Sequence, residues 1–262
     1  MLRVWSCVFV LVLSGGCVGC AAAPPKDGQV ATVAGGWYRG DMHFHTNHSD
    51  DAREQGGDDL ALALRIADSW THPDYVALFP ERAGNALDFV VVTDHRTDAP
   101  LKDPDFKHDR LIVIGGEEYG GGGHATIAGL KQHLPSDPKD GRTQDEQHAA
   151  NIEAAHAQGA IFSINHPAQD NFWPWTVEGI DGVEVWNAPW SAFWGETAVT
   201  ELDRHLEGNP GAENPFIRAA LAHRGGGTNE QGLWLWYGML TRGKHPAFIG
   251  GSDRHMLLMP GH

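Results

Sequence analysis

The stretch "LDFVVVTDH", Leu87 to His95, decides how this chain folds. Its run Phe89-Val90-Val91-Val92 joins an aromatic residue to three β-branched ones without alternation, the pattern of a strand buried on both faces. The run then breaks into Thr93, Asp94 and His95, so an apolar strand delivers chemically capable side chains at its C-terminal end.

Working outward, the same design recurs. "GWYRGDMHF" reads as a strand running into "DMHFHT", and "LIVIGG" as one running into "GGEEY". "HATIAGL" reads as a fourth strand, "AIFSIN" leads into "NHP", "DGVEVWN" is a sixth, and "PAFIGGSD" leads into "GSDRH". Between them lie helical patterns. "GGDDLALALRIADSW" has Asp58 or Asp59 as cap and Leu60, Leu64 and Ala67 on one face. "TQDEQHAANIEAAHAQG" stops at Gly159, "TAVTELDRHLEG" and "NPFIRAALAHR" follow, and "QGLWLWYGMLTRG" closes at Gly243. The alternation predicts one α/β domain over residues 37–262, its sheet largely parallel and open or closed into a barrel. In a parallel barrel the C-terminal strand ends share one face, where active sites are built.

Composition narrows the function. With 262 residues and 41% hydrophobic content the chain is globular, and its formal charge of -15 argues against nucleic-acid or anionic-membrane surfaces. All three cysteines, Cys7, Cys17 and Cys20, precede residue 21, so neither disulfides nor thiolate metal sites are available beyond it. Arg3, the apolar run "VWSCVFVLVL" and small residues after it make residues 1–20 an export signal, with 21–36 a tether. Lipidation at Cys17 or Cys20 and plain cleavage near "AAA" both stay open. The expected location is periplasmic or extracellular, with any membrane attachment through that lipid anchor alone.

Sixteen histidines are the oddity. "DMHFHTNHSDD", Asp41 to Asp51, holds His43, His45 and His48 with three acids and no basic residue, which a solvated acidic loop does not explain. His43 and His45 are two apart and share a strand face. Asp253 and His255 repeat that spacing, with Arg254 facing away. Imidazole and carboxylate without thiolate suit Zn, Mn, Fe, Co or Ni.

Together, "DMHFHTNHSDD", "DFVVVTDH", "GGEEY…GHATIAG", "INHP" and "GGSDRH" resemble the ordered motifs of the PHP (polymerase and histidinol phosphatase) superfamily, nearest its CehA/McbA-type metallohydrolases. The resemblance runs from about Gly40 to His255. It implies a distorted seven-stranded (β/α) barrel with two or three divalent ions, Zn, Mn or Fe, at the C-terminal strand ends. Carried over, the ligands are His43, His45, Asp50, His95, Glu118, His124, His166, Asp253 and His255, with Glu117 an alternative to Glu118. Asp94 and Asp41 read as orienters of ligand histidines, and Glu184 as either a structural residue or a further orienter at the site floor. His48 is either a ligand or a rim residue; Asn47 stands where a metallo-β-lactamase-type motif needs an acid, which favours the rim. Only residues 256–262 follow His255, whereas such enzymes continue with further sheet and helix, so the resemblance implies a truncated domain.

His72, His108, His133, His148, His156, His205, His223, His245 and His262 lack strand-end placement and read as bystanders. The tryptophans of "NFWPWT" and "WNAPWSAFW" form either packing or an apolar substrate wall. "YGGGGHA" lacks a Walker lysine and reads as a turn.

The expected activity is hydrolysis of a small, anionic phosphate ester by a water made acidic between cations. Asp253 or His255 carries protons and Arg96, directly after "TDH", contacts phosphate. The alternatives are hydrolysis of a carboxylic ester, amide or carbamate, and an exported metal-binding protein with a vestigial site.

Overall fold

The computed structural model describes residues 37–69, 86–120, 123–137, 141–167, 178–187 and 228–255, with Pro73, Ala77 and Pro80. The export signal, the tether, "NFWPWT", the loop beyond Asn187 and the helices expected within 196–224 lie outside these residues.

Seven strands form one sheet in sequence order: β1 (Gly40–Phe44), β2 (Phe89–Val92), β3 (Ile112–Gly120), β4 (His124–Ala128), β5 (Ile161–Ile164), β6 (Gly182–Asn187) and β7 (Ala247–Gly251). The sheet curls until its ends meet. Phe44 bridges Arg254 in parallel, the His45 N–H donates to the Arg254 carbonyl at 2.9 Å, and the Asp253 N–H donates to the His43 carbonyl at 2.9 Å. The result is a nearly closed, barrel-like sheet of seven strands.

The sheet is largely parallel, as expected, with one strand reversed. β4 runs antiparallel to both β3 and β5, while the other neighbours are parallel. The physical reason is the connection. Only residues 121–123 separate β3 from β4, and a parallel return needs a crossover of a dozen residues or more. The reversal has a consequence for chemistry: His124, at the start of β4, reaches the same rim as the C-terminal ends of the other strands.

Few helices cover the sheet among the described residues: α1 (Asp50–Glu54), α2 (Leu60–Asp68), α3 (Gln144–Ala157) and α4 (Thr228–Thr241). Asp59 caps α2, accepting from the Leu62 N–H at 2.8 Å. Thr143 and Glu146 form a capping box on α3, worth about 1 kcal/mol. Gly159 and Gly243, at φ 79° and 76°, supply the left-handed turns that release the chain after α3 and α4.

β2 is buried throughout, as its composition demands. Val90 and Val92 pack with Phe44, Leu60 and Leu64 under α2. Phe89 and Val91 meet Met42, Ala128 and Ile249. Those partners come from β1, β4 and β7, so this second cluster fills the barrel interior. A third cluster joins Ile127, Phe162, Ile164 and Val183 to Ile152, Ala155 and Met239 of α3 and α4. No helix of the described residues is long and apolar enough to cross a membrane.

Candidate metal centre

Glu118 sits at the centre of a ring of imidazoles. Its Oε1 lies 3.2 Å from His43 Nε2, 3.1 Å from His124 Nδ1 and 3.0 Å from His166 Nε2. Its Oε2 lies 3.2 Å from His45 Nε2 and 3.0 Å from His95 Nδ1. Two further carboxylates each gather a pair of histidines. Asp253 Oδ1 is 3.3 Å from Nε2 of both His43 and His45, and Asp51 Oδ2 is 3.1 Å from Nε2 of both His95 and His255.

The local folding explains this convergence. The site residues lie at or near strand ends on one rim, and the β1–β2 register shifts between Asp41 and Phe44, the stretch that carries His43. Arg96, His166 and Asp253, just past β2, β5 and β7, are the non-glycine residues with positive φ among those described, at 50°, 23° and 49°. Such strain costs on the order of 1–3 kcal/mol per residue and collects at functional sites. Gly251 is required: a Cβ there would collide with His43 and with the Glu184 carboxylate.

The geometry corrects the expectations for Asp50 and Asp41 and keeps Glu118 over Glu117. Asp50 stays outside the cluster, its carboxylate on the surface paired with Arg53, and Asp51 enters instead. Both open α1, where successive side chains diverge by roughly 100°, so only one can turn inward. Glu118 faces the histidines while Glu117, on the other side of β3, accepts from His133 Nδ1 at 2.7 Å. Asp41 does not touch a ring nitrogen. It accepts the backbone N–H groups of His43 and Ser252 at 3.0 and 2.9 Å, and Glu184 Oε1 takes His43 Nδ1 at 3.0 Å.

His48 lies on the rim and meets Asp103 at 2.9 Å. Arg254 turns away from the cluster, fully buried against Asp58 and the Phe44 ring.

Other contributors carried no signal beforehand. Asn165 donates to Glu118 Oε1 at 3.0 Å, and Asn187 donates to Glu184 Oε2 and Asp253 Oδ2 at 3.1 and 3.2 Å. Ser49 Oγ lies 2.9 Å from His45 Nδ1. An asparagine or serine at a strand end has too many ordinary uses to be singled out from sequence.

The electrostatics show what the cluster lacks. Burial opposes charge on His43, yet Glu118, Asp253 and Glu184 outweigh it and hold the ring well above its usual value. His95 likewise overcomes burial through Glu118 and Asp51 and is pushed up to about 10. Burial would raise Glu118 and Asp253, but the surrounding histidines hold both well below the usual carboxylate range. These carboxylates favour positive charge at their centre, and metal ions would supply it.

The donor set fits such ions. Ligand atoms of His43, His45, Glu118 and Asp253 lie within 4.8 Å of one another, as do those of His95, Glu118 and His124, of His45, His95 and His255, and of His43, His166 and Glu184. Glu118 Oε2 is buried without a hydrogen-bond donor of its own. These buried groups could hold metal ions. A cavity of about 610 Å³ opens beside them, lined by Asp51, His95, Arg96, Thr97 and His124 among others. In comparisons with known proteins, no family model matches the chain and no curated protein matches it.

Proposed function

We propose that this chain is a metal-dependent hydrolase of the PHP type acting on phosphate esters. The observation that carries the reading is the convergence of His43, His45, His95, His124, His166 and His255 on Glu118, Asp253 and Asp51 at the edge of a cavity. Nitrogen and oxygen donors without sulfur suit Zn, Mn or Fe, and the overlapping groups suit two or three of them. Such ions would supply an acidified water and neutralise charge developing on the ester oxygens.

The chain's own residues do the rest. Arg96 projects at the cavity, and its guanidinium meets no carboxylate among the described residues. It binds a non-bridging oxygen of the substrate, a charge-assisted bond that also orients the ester. Asp253 and His255 pass the proton to the leaving oxygen. Glu184 and Asn187 keep His43 and Asp253 in place while this happens. Export directed by residues 1–20 belongs to the same proposal.

A second reading, hydrolysis of carboxylic esters, amides or carbamates of the CehA/McbA kind, draws support from Asp50 and Glu54 on the cavity wall, which repel an anion. Turnover of p-nitrophenyl phosphate against p-nitrophenyl acetate, with Mn²⁺ or Zn²⁺ supplied, separates the two. Phosphate-ester turnover alone supports the first reading and acetate turnover alone the second. Turnover of neither, in protein that holds the metal, sinks both and leaves a metal-binding role.

A further inference from the structure

Ser49 precedes α1 as its N-cap, yet its hydroxyl makes no capping bond. An N-cap serine ordinarily accepts a backbone N–H from the first turn of its helix. Here every hydrogen-bonding direction of Oγ is used elsewhere. It donates to Asp94 Oδ1 at 2.8 Å, accepts from the His95 backbone N–H at 3.0 Å, and lies 2.9 Å from His45 Nδ1.

The direction of the last bond follows from the others. Asp94 Oδ1 also accepts from the N–H groups of Thr46 and Ser49, at 2.7 and 3.0 Å, and Oδ2 from the Thr46 hydroxyl at 2.8 Å. Asp94 is thereby an acceptor on both oxygens, and the single hydroxyl proton of Ser49 is committed to it. A serine oxygen has two lone pairs and one proton. One lone pair takes the His95 N–H, so the other takes a proton from His45 Nδ1.

We infer that Ser49 is a positioning residue for the metal centre: locked by Asp94, its hydroxyl takes the Nδ1–H of His45 and so leaves Nε2, beside Glu118 and Asp253, as the nitrogen that a metal ion would take. The same oxygen ties the His95 backbone to the His45 ring just past β1, so one hydroxyl sets two of the clustered histidines. Glu184 at His43 Nδ1 and the Asp253 carbonyl at His255 Nδ1, 3.0 and 2.9 Å away, perform the same task directly. His45 differs in reaching its carboxylate through a serine.

The inference rests on the metal reading of the cluster. Its test is Zn²⁺ affinity, by competition with a chromophoric chelator, of the wild type, Ser49→Ala and Ser49→Thr. Losing a group that orients a ligand histidine typically costs 10–100-fold in metal affinity. Ser49→Ala is therefore expected to bind Zn²⁺ about 10–100-fold more weakly, and Ser49→Thr, which keeps the hydroxyl, to recover most of that loss. Circular dichroism of the metal-free chains shows whether each variant is folded. In ¹⁵N-detected ring spectra, the Zn²⁺-loaded wild type shows His45 protonated at Nδ1. An Nε2–H signal for His45 there, or equal affinity in folded Ser49→Ala, overturns this inference while leaving the metal reading intact. A wild type that takes up no Zn²⁺ overturns both.

Discussion

Asp51 Oδ2 lies 3.1 Å from His255 Nε2, although 204 positions separate the two residues in sequence. This contact ties the beginning of the chain's chemistry to its end and picks one of two adjacent aspartates. Asp51→Asn is expected to weaken metal binding by about one to two orders of magnitude. Asp50→Asn, on the surface beside Arg53, leaves it unchanged within about twofold. Titration of both variants with Zn²⁺ checks the pair.

The two glutamates of β3 separate function from stability. Glu118→Gln removes the carboxylate shared by five imidazoles and is expected to abolish tight metal uptake. Glu117→Gln leaves uptake intact but weakens the buried bonds to His133 and the Leu134 N–H, costing about 1–3 kcal/mol. Denaturant unfolding of each chain, alongside its metal content, distinguishes the roles.

Metal-free protein should lose stability on the alkaline side. His95 is raised from 6.5 to about 10 in the fold, and His43 and His255 are raised as well. A raised histidine contributes stability that is fully present below its unfolded value and is lost as pH climbs through the folded one. For His95 that window runs from pH 6.5 to about 10. Glu118 and Asp253 are lowered, so their contribution is present above 4.5 and 3.8 and fades in acid. Thermal unfolding of the metal-free chain is expected to show Tm falling between pH 7 and 10. Zn²⁺ should offset the fall and release protons on binding.

Arg254 is a large, fully buried cation among the described residues, held by Asp58 and the His45 carbonyl. Arg254→Ala leaves Asp58 without its partner and opens space beside Phe44, and is expected to cost about 3–5 kcal/mol. Urea unfolding midpoints measure this.

Arg96→Ala should raise KM for p-nitrophenyl phosphate by about 10–100-fold, the loss of one charge-assisted bond. KM for a neutral aryl ester should stay put. Equal effects on both substrates contradict the anion-binding role.

Much of this architecture was legible because burial leaves a plain pattern. "FVVV" reads as an interior strand, and strand ends rich in histidine mark the rim. β4's direction was not legible in the same way, since "HATIA" alternates identically whether it runs up or down; the short link from β3 decides it. The resemblance selects Asp50 as ligand and leaves Asp51 a bystander, the reverse of the structure, because spacing along a chain says nothing of which helical face turns inward. Ser49 and Asn165 act through side-chain hydrogen bonds to residues distant in sequence, and their residue types occur in countless loops. Glu117 and Glu118 had to point apart on a strand, yet only the packing of β3 against the ring tells which one enters.

The most direct test of the account is the metal content of the chain after loading with Mn²⁺ or Zn²⁺ and desalting, measured by inductively coupled plasma mass spectrometry beside Glu118→Gln. The account predicts roughly two to three tightly held ions per wild-type chain and a loss of most of them in the variant. Folded wild-type protein that retains no ion, or a variant that retains as many as the wild type, would contradict it.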